Sequence, residues 1–255
     1  MITDQMPTIV TITDIIVETP HVKTFVFDTS FSNARPGQFC MVWVPGIDEI
    51  PMAYSSPNSI TVMNVGDATS AMFDLNIGDK LGIRGPYGNG YSPTGKVLAI
   101  GGGIGVTPLY YLATNHKIDT FVLGARTVSD LVFSDKLSKL SDLHIATDDG
   151  SSGYHGFVTG ILDEKVNVID YDTICVCGPE MMMKGVLDRL ISTGIEDRGQ
   201  FSLHRYMKCG VGVCGSCCID HEGLRVCTDG PIFTGTVLKS SEFAHYHRGS
   251  SGNKE

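Results

Sequence analysis

Residues 97–108 read VLAIGGGIGVTP, and this stretch decides which fold class the rest of the chain must fit. The four leading apolar residues predict a buried strand, and the glycines after them predict a tight turn into a helix. Thr107 can cap that helix, and Pro108 suits its first turn. Such a turn presents backbone N–H groups at the positive end of a helix dipole, which favours a phosphate. The glycines are denser than in the G-x-G-x-x-G motif, so this signal alone is weak. The alternative is that the glycines only allow the strand and the helix to pack closely. The candidate nucleotide contacts are Gly102, Gly103, Gly105 and Thr107.

The chain beyond this turn alternates short apolar strands with helical segments. Because such alternation is typical of a parallel sheet with helical crossovers, we predict a Rossmann-like α/β domain over residues 94–198. A linker is expected at residues 193–200. The predicted strands are residues 97–100, 120–123, 144–146 and 174–177, and the predicted helices are residues 109–115, 134–140 and a Met-rich segment ending at Ile191.

The chain before the turn has a different pattern. Residues 8–17 and 21–27 alternate apolar and polar side chains, and residues 39–44 form an apolar run. Pro-Gly and Gly-Pro pairs punctuate these segments, as they do between the strands of antiparallel sheets. We therefore predict an antiparallel β-barrel over residues 1–93.

The cysteines are concentrated near the C-terminus: five of the eight fall between residues 209 and 227. Cys209, Cys214, Cys217 and Cys227 have the spacing C-x4-C-x2-C-x9-C, whose first three positions match the plant-type [2Fe-2S] ligand pattern. Interspersed glycines allow the backbone to wrap a cluster closely. Structural zinc is the main alternative, because its sites also use four cysteines. Cys218 is interpreted as a neighbour with a minor chance of being a ligand.

The third predicted domain is this cluster domain, at residues 199–237, and residues 238–255 are expected to form a flexible tail. The remaining cysteines, Cys40, Cys175 and Cys177, are expected to pack in the core. No Ser/His/Asp set or carboxylate pair indicates acid–base chemistry, so no catalytic residue is assigned.

Composition narrows the class of protein further. The 255 residues are 42% hydrophobic and 18% charged, which is typical of a globular chain, and the net charge is −9. A chain without a basic stripe is a poor partner for nucleic acid or an anionic membrane. The first ten residues have neither the charged nor the apolar region of a secretory signal. We therefore expect a cytoplasmic protein.

Three motifs together resemble the ferredoxin–NADP reductase superfamily: the glycine-rich turn after a barrel, CGPEMM at residues 177–182, and MKCGVGVCGSC at residues 207–217. The last of these is similar to one branch, the PyrK family of electron-transfer subunits of dihydroorotate dehydrogenase. The resemblance covers about residues 5–235. GART at residues 124–127 and TDDG at residues 147–150 are further points of similarity.

The resemblance implies an FAD bound across the barrel. The family's Arg-Pro-x-Ser segment corresponds to residues 52–55 here, with Met52 in place of the arginine that contacts the diphosphate. Tyr54 would pack on the flavin and Ser55 would bond near its reactive edge. The alternative for Tyr54 is an ordinary half-buried barrel aromatic. The alternative for Ser55 and for Thr69 is turn capping. The implied flavin-binding residues are Met52, Ala53, Tyr54, Ser55, Thr61, Val62, Met63, Ala68, Thr69, Gly85 and Pro86.

The resemblance also implies an electron relay that acts with a partner. A catalytic subunit that holds FMN would oxidise dihydroorotate in pyrimidine biosynthesis, in a heterotetramer of two plus two chains. Electrons would pass through the [2Fe-2S] cluster and FAD to NAD. His204 stands where relatives often have glutamate, and it is expected to be an ordinary surface or packing residue. Two alternatives stay open: the corresponding subunit of a hydrogenase, sulfhydrogenase or ferredoxin:NADP reductase, and a zinc-stabilised binding module without flavin.

Overall fold

The computed structural model describes residues 6–220, 222–246, 248–249, 251 and 253–254. Its first unit is a closed antiparallel barrel with the strand order β1-β2-β5-β4-β3-β6. A short helix, α1 (Asp67–Phe73), connects β5 to β6. The predicted barrel is confirmed. Its strands are β1 (Thr8–Thr19), β2 (Val22–Phe27), β3 (Phe39–Val44), β4 (Asp48–Ser56), β5 (Ser59–Met63) and β6 (Lys80–Tyr87).

The second unit alternates strands and helices, as predicted. Its strands are β7 (Val97–Gly102), β8 (Thr120–Ala125), β9 (Asp142–Thr147), β10 (Tyr154–His155), β11 (Thr173–Cys177) and β12 (Gly199–Ser202). Its helices are α2 (Val106–Asn115), α3 (Ser134–Leu137), α4 (Val158–Glu164) and α5 (Glu180–Thr193). Single 3₁₀ turns lie at Gly103–Gly105, Val128–Asp130, Val168–Asp170 and Glu196–Arg198.

The C-terminal segment adds a hairpin, a strand and a helix. β13 (Cys218–Ile219) and β14 (Leu224–Arg225) pair with each other, and β15 (Ile232–Thr234) leads into α6 (Gly235–Lys239). β15 pairs antiparallel with β12, so the main sheet has the order β10-β9-β8-β7-β11-β12-β15. The other pairings in this sheet are parallel.

The strand order of this sheet indicates where a ligand would bind. From β7 the chain proceeds outward through β8, β9 and β10, and then returns to place β11 on the other side of β7. Ligands in open α/β sheets bind at the carboxyl ends of the strands where this direction reverses. The glycine-rich turn follows β7, and the Gly178-Pro179 turn follows β11. Both motifs therefore lie at the switch point.

Strand β3 joins the barrel to the rest of the molecule because both of its faces are buried. Cys40 and Val42 pack in the barrel core. Phe39 and Met41 belong instead to the core shared with α5 and the cysteine-rich segment. Alternate residues of a strand point to opposite faces, so an apolar run without polar interruption is what a strand between two cores requires.

Three sequence expectations need correction. The helix expected over residues 134–140 ends at Leu137. The linker expected at residues 193–200 contains the last residue of α5, a 3₁₀ turn and the start of β12. The described part of the expected tail is packed up to residue 246: Phe243 is 2% exposed and Glu242 accepts a hydrogen bond from the Asp220 N–H (2.7 Å). The domain boundaries after residues 93, 198 and 237 stay predictions.

No helix among the described residues is long and apolar enough to span a bilayer.

Candidate functional site: a cysteine-rich loop beside a nucleotide cleft

The cysteine-rich loop lies against the outer face of the barrel. Gly210, Gly212 and Gly215 have φ values of +72°, +78° and +74°, a conformation that favours glycine. A Cβ added to Gly210 would lie 2.9 Å from Met41 Cγ, so the loop approaches β3 as closely as the backbone allows. The glycines therefore both turn the loop and seat it on the barrel.

The loop directs backbone N–H groups at sulfur atoms. The N–H groups of Val211 and Cys214 donate to Cys209 Sγ, both at 3.5 Å. Gly212 N–H donates to Cys227 Sγ at 3.2 Å, and Cys227 N–H donates to Cys217 Sγ at 3.5 Å. N–H groups around cysteine sulfurs stabilise thiolates and help to set the reduction potential of a bound cluster.

Backbone hydrogen bonds associate the four cysteines of the motif in two pairs: the Cys214 N–H donates to Cys209 Sγ, and the Cys227 N–H donates to Cys217 Sγ. Among the described residues, no three histidine, cysteine, aspartate or glutamate side chains converge on a position for a single metal ion. A [2Fe-2S] cluster needs two thiolates for each iron, whereas structural zinc needs four around one ion. The pairing fits the cluster better than zinc.

Two of these thiols ionise readily. The hydrogen bond with Cys227 lowers the pKa of Cys217 to about 6, against the opposing effect of burial. Burial also raises the pKa of Cys214, but hydrogen bonds with Ser216 and Cys209 outweigh it and lower that pKa to about 6. By contrast, burial raises the pKa of Cys40 to about 12. Because metals bind thiolates, Cys214 and Cys217 have the chemistry of ligands and Cys40 has that of a core residue. The pKa of Cys227 is raised instead, first by its hydrogen bond with Cys217, so the pKa values alone do not distinguish Cys227 from a core thiol.

The thiol of Cys218 lies in a different environment from the thiols of the two pairs. Burial raises its pKa, and its thiol hydrogen-bonds to Arg225. The structure therefore groups four of the five clustered cysteines and leaves Cys218 at the hairpin.

A cleft of about 1170 Å³ separates the barrel from the α/β unit and collects most of the predicted cofactor residues. From the barrel, strands β4 and β5 and the turns after β1 and β5 line it. From the α/β unit, the glycine-rich turn lines it. The predicted residues found there are Met52, Ala53, Thr61, Met63, Thr69, Gly102, Gly103, Gly105 and Thr107.

The other predicted flavin residues do not line this cleft. Tyr54 is fully buried among barrel side chains, 5.9 Å from the Phe31 ring between centroids. Ser55 is 3% exposed and hydrogen-bonds to Ser59 at 2.9 Å. Val62 and Ala68 are buried in the barrel core, and Gly85 and Pro86 lie in β6 beside β3.

Thr69, which does line the cleft, also caps α1. Its Oγ1 accepts hydrogen bonds from the N–H groups of Val65 and Gly66, both at 2.9 Å, and donates to the Gly66 carbonyl at 2.8 Å. The hydrogen bonds that Thr69 makes within the protein are therefore those of a helix cap, which was the alternative to a flavin contact.

The glycine-rich turn combines packing with an open surface. A Cβ on Gly105 would lie 2.6 Å from Gly178 Cα, so the two switch-point turns meet only because both residues are glycine. Gly103 has a φ of +52°, and a Cβ there would meet no atom within 4 Å. Gly105 is thus needed for packing, while Gly103 faces open space in the cleft.

Thr107 does not cap α2, contrary to the sequence expectation. The N-cap is Gly105, because the 3₁₀ turn at Gly103–Gly105 runs directly into the helix and places Thr107 inside its first turn. The Thr107 hydroxyl is buried without a hydrogen-bond partner, and Thr107 is one of the residues that line the cleft. Because an unpaired buried hydroxyl is costly, this atom fits a group supplied by a ligand.

Sequence reasoning missed several residues that line the cleft. Two of them are Cys177, which was expected only in the core, and His204, which was expected to be an ordinary surface or packing residue. His21 at the β1–β2 turn and Arg189 on α5 also line it. The position of Cys177 at the carboxyl end of β11, at the switch point, was the available signal. His21 and Arg189 carried no local signal, because only the tertiary fold brings them to the cleft.

Residues 204–239 match a family model described as the iron-sulfur cluster binding domain of dihydroorotate dehydrogenase B. A protein of Methanocaldococcus jannaschii is 47% identical over 256 residues, covering 98% of each chain, and one of Methanocella arvoryzae is 47% identical over 255 residues with the same coverage. Both are named probable dihydroorotate dehydrogenase B (NAD(+)), electron transfer subunit.

Solved structures agree with the fold. A structure of the NADH-dependent reduced ferredoxin-NADP oxidoreductase aligns with a TM-score of 0.82 and 27% identity, covering 96% of this chain and 92% of that one. The FAD/NAD binding domain of a Vibrio cholerae nitric oxide dioxygenase aligns with a TM-score of 0.70 at 19% identity, over 78% of this chain and 99% of that one. The second similarity concerns the fold alone.

Proposed function

The chain belongs to the family of electron transfer subunits of dihydroorotate dehydrogenase B, and from this premise we propose that it transfers electrons between a dihydroorotate-oxidising partner and NAD. The observation that carries the proposal is the pairing of four cysteines by backbone N–H bonds to sulfur, within the segment that matches the family's iron-sulfur domain.

The cofactors are a [2Fe-2S] cluster and FAD. Together they supply the exchange between two-electron and one-electron transfer, because a flavin handles both hydrides and single electrons. Cys209, Cys214, Cys217 and Cys227 are the proposed cluster ligands. The protein's task is to hold both groups, to set their potentials and to exclude competing reactions. No side chain is assigned to proton transfer.

The residues of the cleft divide into two groups. Met52, Ala53, Thr61, Met63 and Thr69 are proposed as flavin contacts on the barrel side. Gly102, Gly103, Gly105 and Thr107 are proposed as contacts at the α/β side, where the partnerless Thr107 hydroxyl supports the proposal.

The flavin residues outside the cleft are proposed to support its shape. Tyr54, Ser55, Val62 and Ala68 keep the barrel wall packed behind the contacts. Gly85 allows the close approach of β6 to β3, since a Cβ there would lie 3.2 Å from the Phe39 carbonyl oxygen. Pro86 follows in the same strand.

The partner is proposed to be an FMN-containing dihydroorotate dehydrogenase catalytic subunit, in a complex of two plus two chains. The relatives are named as an electron transfer subunit of an enzyme, which supports a catalytic partner. A cytoplasmic location is proposed as well, and it is supported by eight cysteines that all have free thiols.

The test is to reconstitute electron transfer with and without the partner. The chain and the catalytic subunit, co-purified without oxygen, should reduce NAD⁺ with dihydroorotate. The chain alone should retain oxidation of NADH by an artificial acceptor but should not oxidise dihydroorotate. Efficient dihydroorotate oxidation by the isolated chain would contradict the proposal. Co-purification with a hydrogenase instead would favour the alternative relay.

A further inference from the structure

A partly buried ion pair holds the barrel strands that face the cysteine-rich loop. Arg84 on β6 donates from Nε to Glu49 Oε1 at 2.7 Å and from Nη2 to Glu49 Oε2 at 2.6 Å. Its side chain is 10% exposed. Glu49 is on β4, so this two-point pair spans the intervening strand β3. Two parallel hydrogen bonds fix the plane and direction of the guanidinium.

The same guanidinium reaches out of the barrel. Nη2 also donates to the Cys209 carbonyl at 3.3 Å, and Nη1 donates to the Tyr87 hydroxyl at 3.3 Å. The next loop residue, Gly210, packs against Met41 and Tyr87. A positive charge on the barrel is therefore bonded to the backbone of the first proposed cluster ligand.

We propose that Arg84 is a positioning residue for the cluster, which fixes the Cys209 loop to the barrel and, balanced by Glu49, sets the reduction potential of the cluster. The proposal rests on the proposed function, since it assumes that the four cysteines hold the cluster.

The sign of each effect follows from electrostatics. Reduction adds a negative charge to the cluster, so a nearby cation favours the reduced state and a nearby anion disfavours it. Arg84 and Glu49 oppose each other, and removal of either charge leaves the other uncompensated. One unit charge roughly 10 Å from a redox centre, at an effective dielectric constant of about 20, changes an equilibrium about tenfold. For a one-electron couple that is about 59 mV.

The experiment measures the cluster potential by anaerobic redox titration of the full chain, followed by electron paramagnetic resonance. The variants are Arg84→Gln and Glu49→Gln. The matched control is Lys136→Gln, which removes the positive charge of a different ion pair, the one that joins Lys136 of the α/β unit to Glu18 of the barrel at 2.9 Å. The flavin potential is measured in the same samples.

The proposal predicts opposite shifts. At a fixed ambient potential, the ratio of reduced to oxidised cluster should fall about tenfold in Arg84→Gln and should rise about tenfold in Glu49→Gln. Lys136→Gln should leave this ratio unchanged, and the flavin potential should stay the same in all variants.

Unchanged cluster potentials in both variants, or equal shifts of cluster and flavin, would overturn the proposal. If Arg84→Gln does not retain a cluster, Glu49→Gln decides, because it keeps the guanidinium bonded to Cys209: an upward shift supports the proposal and no shift overturns it. A wild-type chain that binds neither iron nor flavin would instead refute the proposed function.

Discussion

The Thr107 hydroxyl provides a test of ligand binding in the cleft, because its replacement should affect folding and binding in opposite directions. Thr107 is 2% exposed, and its Oγ1 has no hydrogen-bond partner. A buried hydroxyl without a partner costs about 1–3 kcal/mol. Thr107→Val keeps the shape and removes this cost, so the flavin-free chain should gain about 1 kcal/mol of unfolding free energy. For a chain of this size that raises the Tm by about 2–4 °C.

Binding should respond in the other direction. If a ligand atom completes the hydrogen bond, its loss costs about 0.5–1.5 kcal/mol, or a roughly 2- to 10-fold higher Kd. FAD and NADH are titrated separately, so that the affected ligand is identified.

The matched control is Thr173→Val. Thr173 is 3% exposed, but its hydroxyl is satisfied: it accepts from the Thr94 N–H at 3.0 Å and donates to the Thr94 carbonyl at 2.8 Å. This variant should lose about 1 kcal/mol of stability, with unchanged binding. The reasoning is refuted if Thr107→Val destabilises the flavin-free chain as much as Thr173→Val does and binds both ligands normally.

Three further predictions concern packing and charge. Arg205→Met leaves two carboxylates near a buried site without their cation, so denaturant unfolding should show a loss of about 3–5 kcal/mol; a loss below 1 kcal/mol would contradict this. Gly105→Ala forces a Cβ to within 2.6 Å of Gly178 Cα, so it should weaken NADH binding measured by titration, and normal affinity would show that the turns can separate. The pKa of Asp119 is lowered, first by a hydrogen bond from Lys117, so its charge stabilises the fold above the ordinary value of 3.8 and this stability is lost as the pH falls through the lowered pKa. Unfolding of Asp119→Asn should therefore depend less on pH below about 4 than that of the wild type, and identical pH profiles would exclude this contribution.

The sequence predicted best those features that depend on neighbours along the chain. The apolar run at residues 39–44 is a strand with the predicted bounds, because a segment buried on both faces leaves no polar residue to blur its ends. The cysteine spacing and its glycines also lie within one loop, so spacing alone could indicate the ligand set.

The features that the sequence did not predict depend on contacts between distant segments. The expected tail packs because Glu242 meets Arg205, 37 residues earlier. Arg84 meets Cys209 across 125 residues, and no local pattern marks that pair. Threonine commonly caps helices, which favours Thr107 from the sequence, but the 3₁₀ turn before it moves the N-cap to Gly105.

The most direct measurement of the central claim is the metal and flavin content of the wild-type chain and two cysteine variants, all expressed and purified without oxygen. The wild type and Cys218→Ser should contain about two irons and two sulfides per chain, together with one FAD, whereas Cys227→Ser should lose the iron and keep the flavin. Colourless wild-type protein with stoichiometric zinc, or with neither iron nor flavin, would contradict the account.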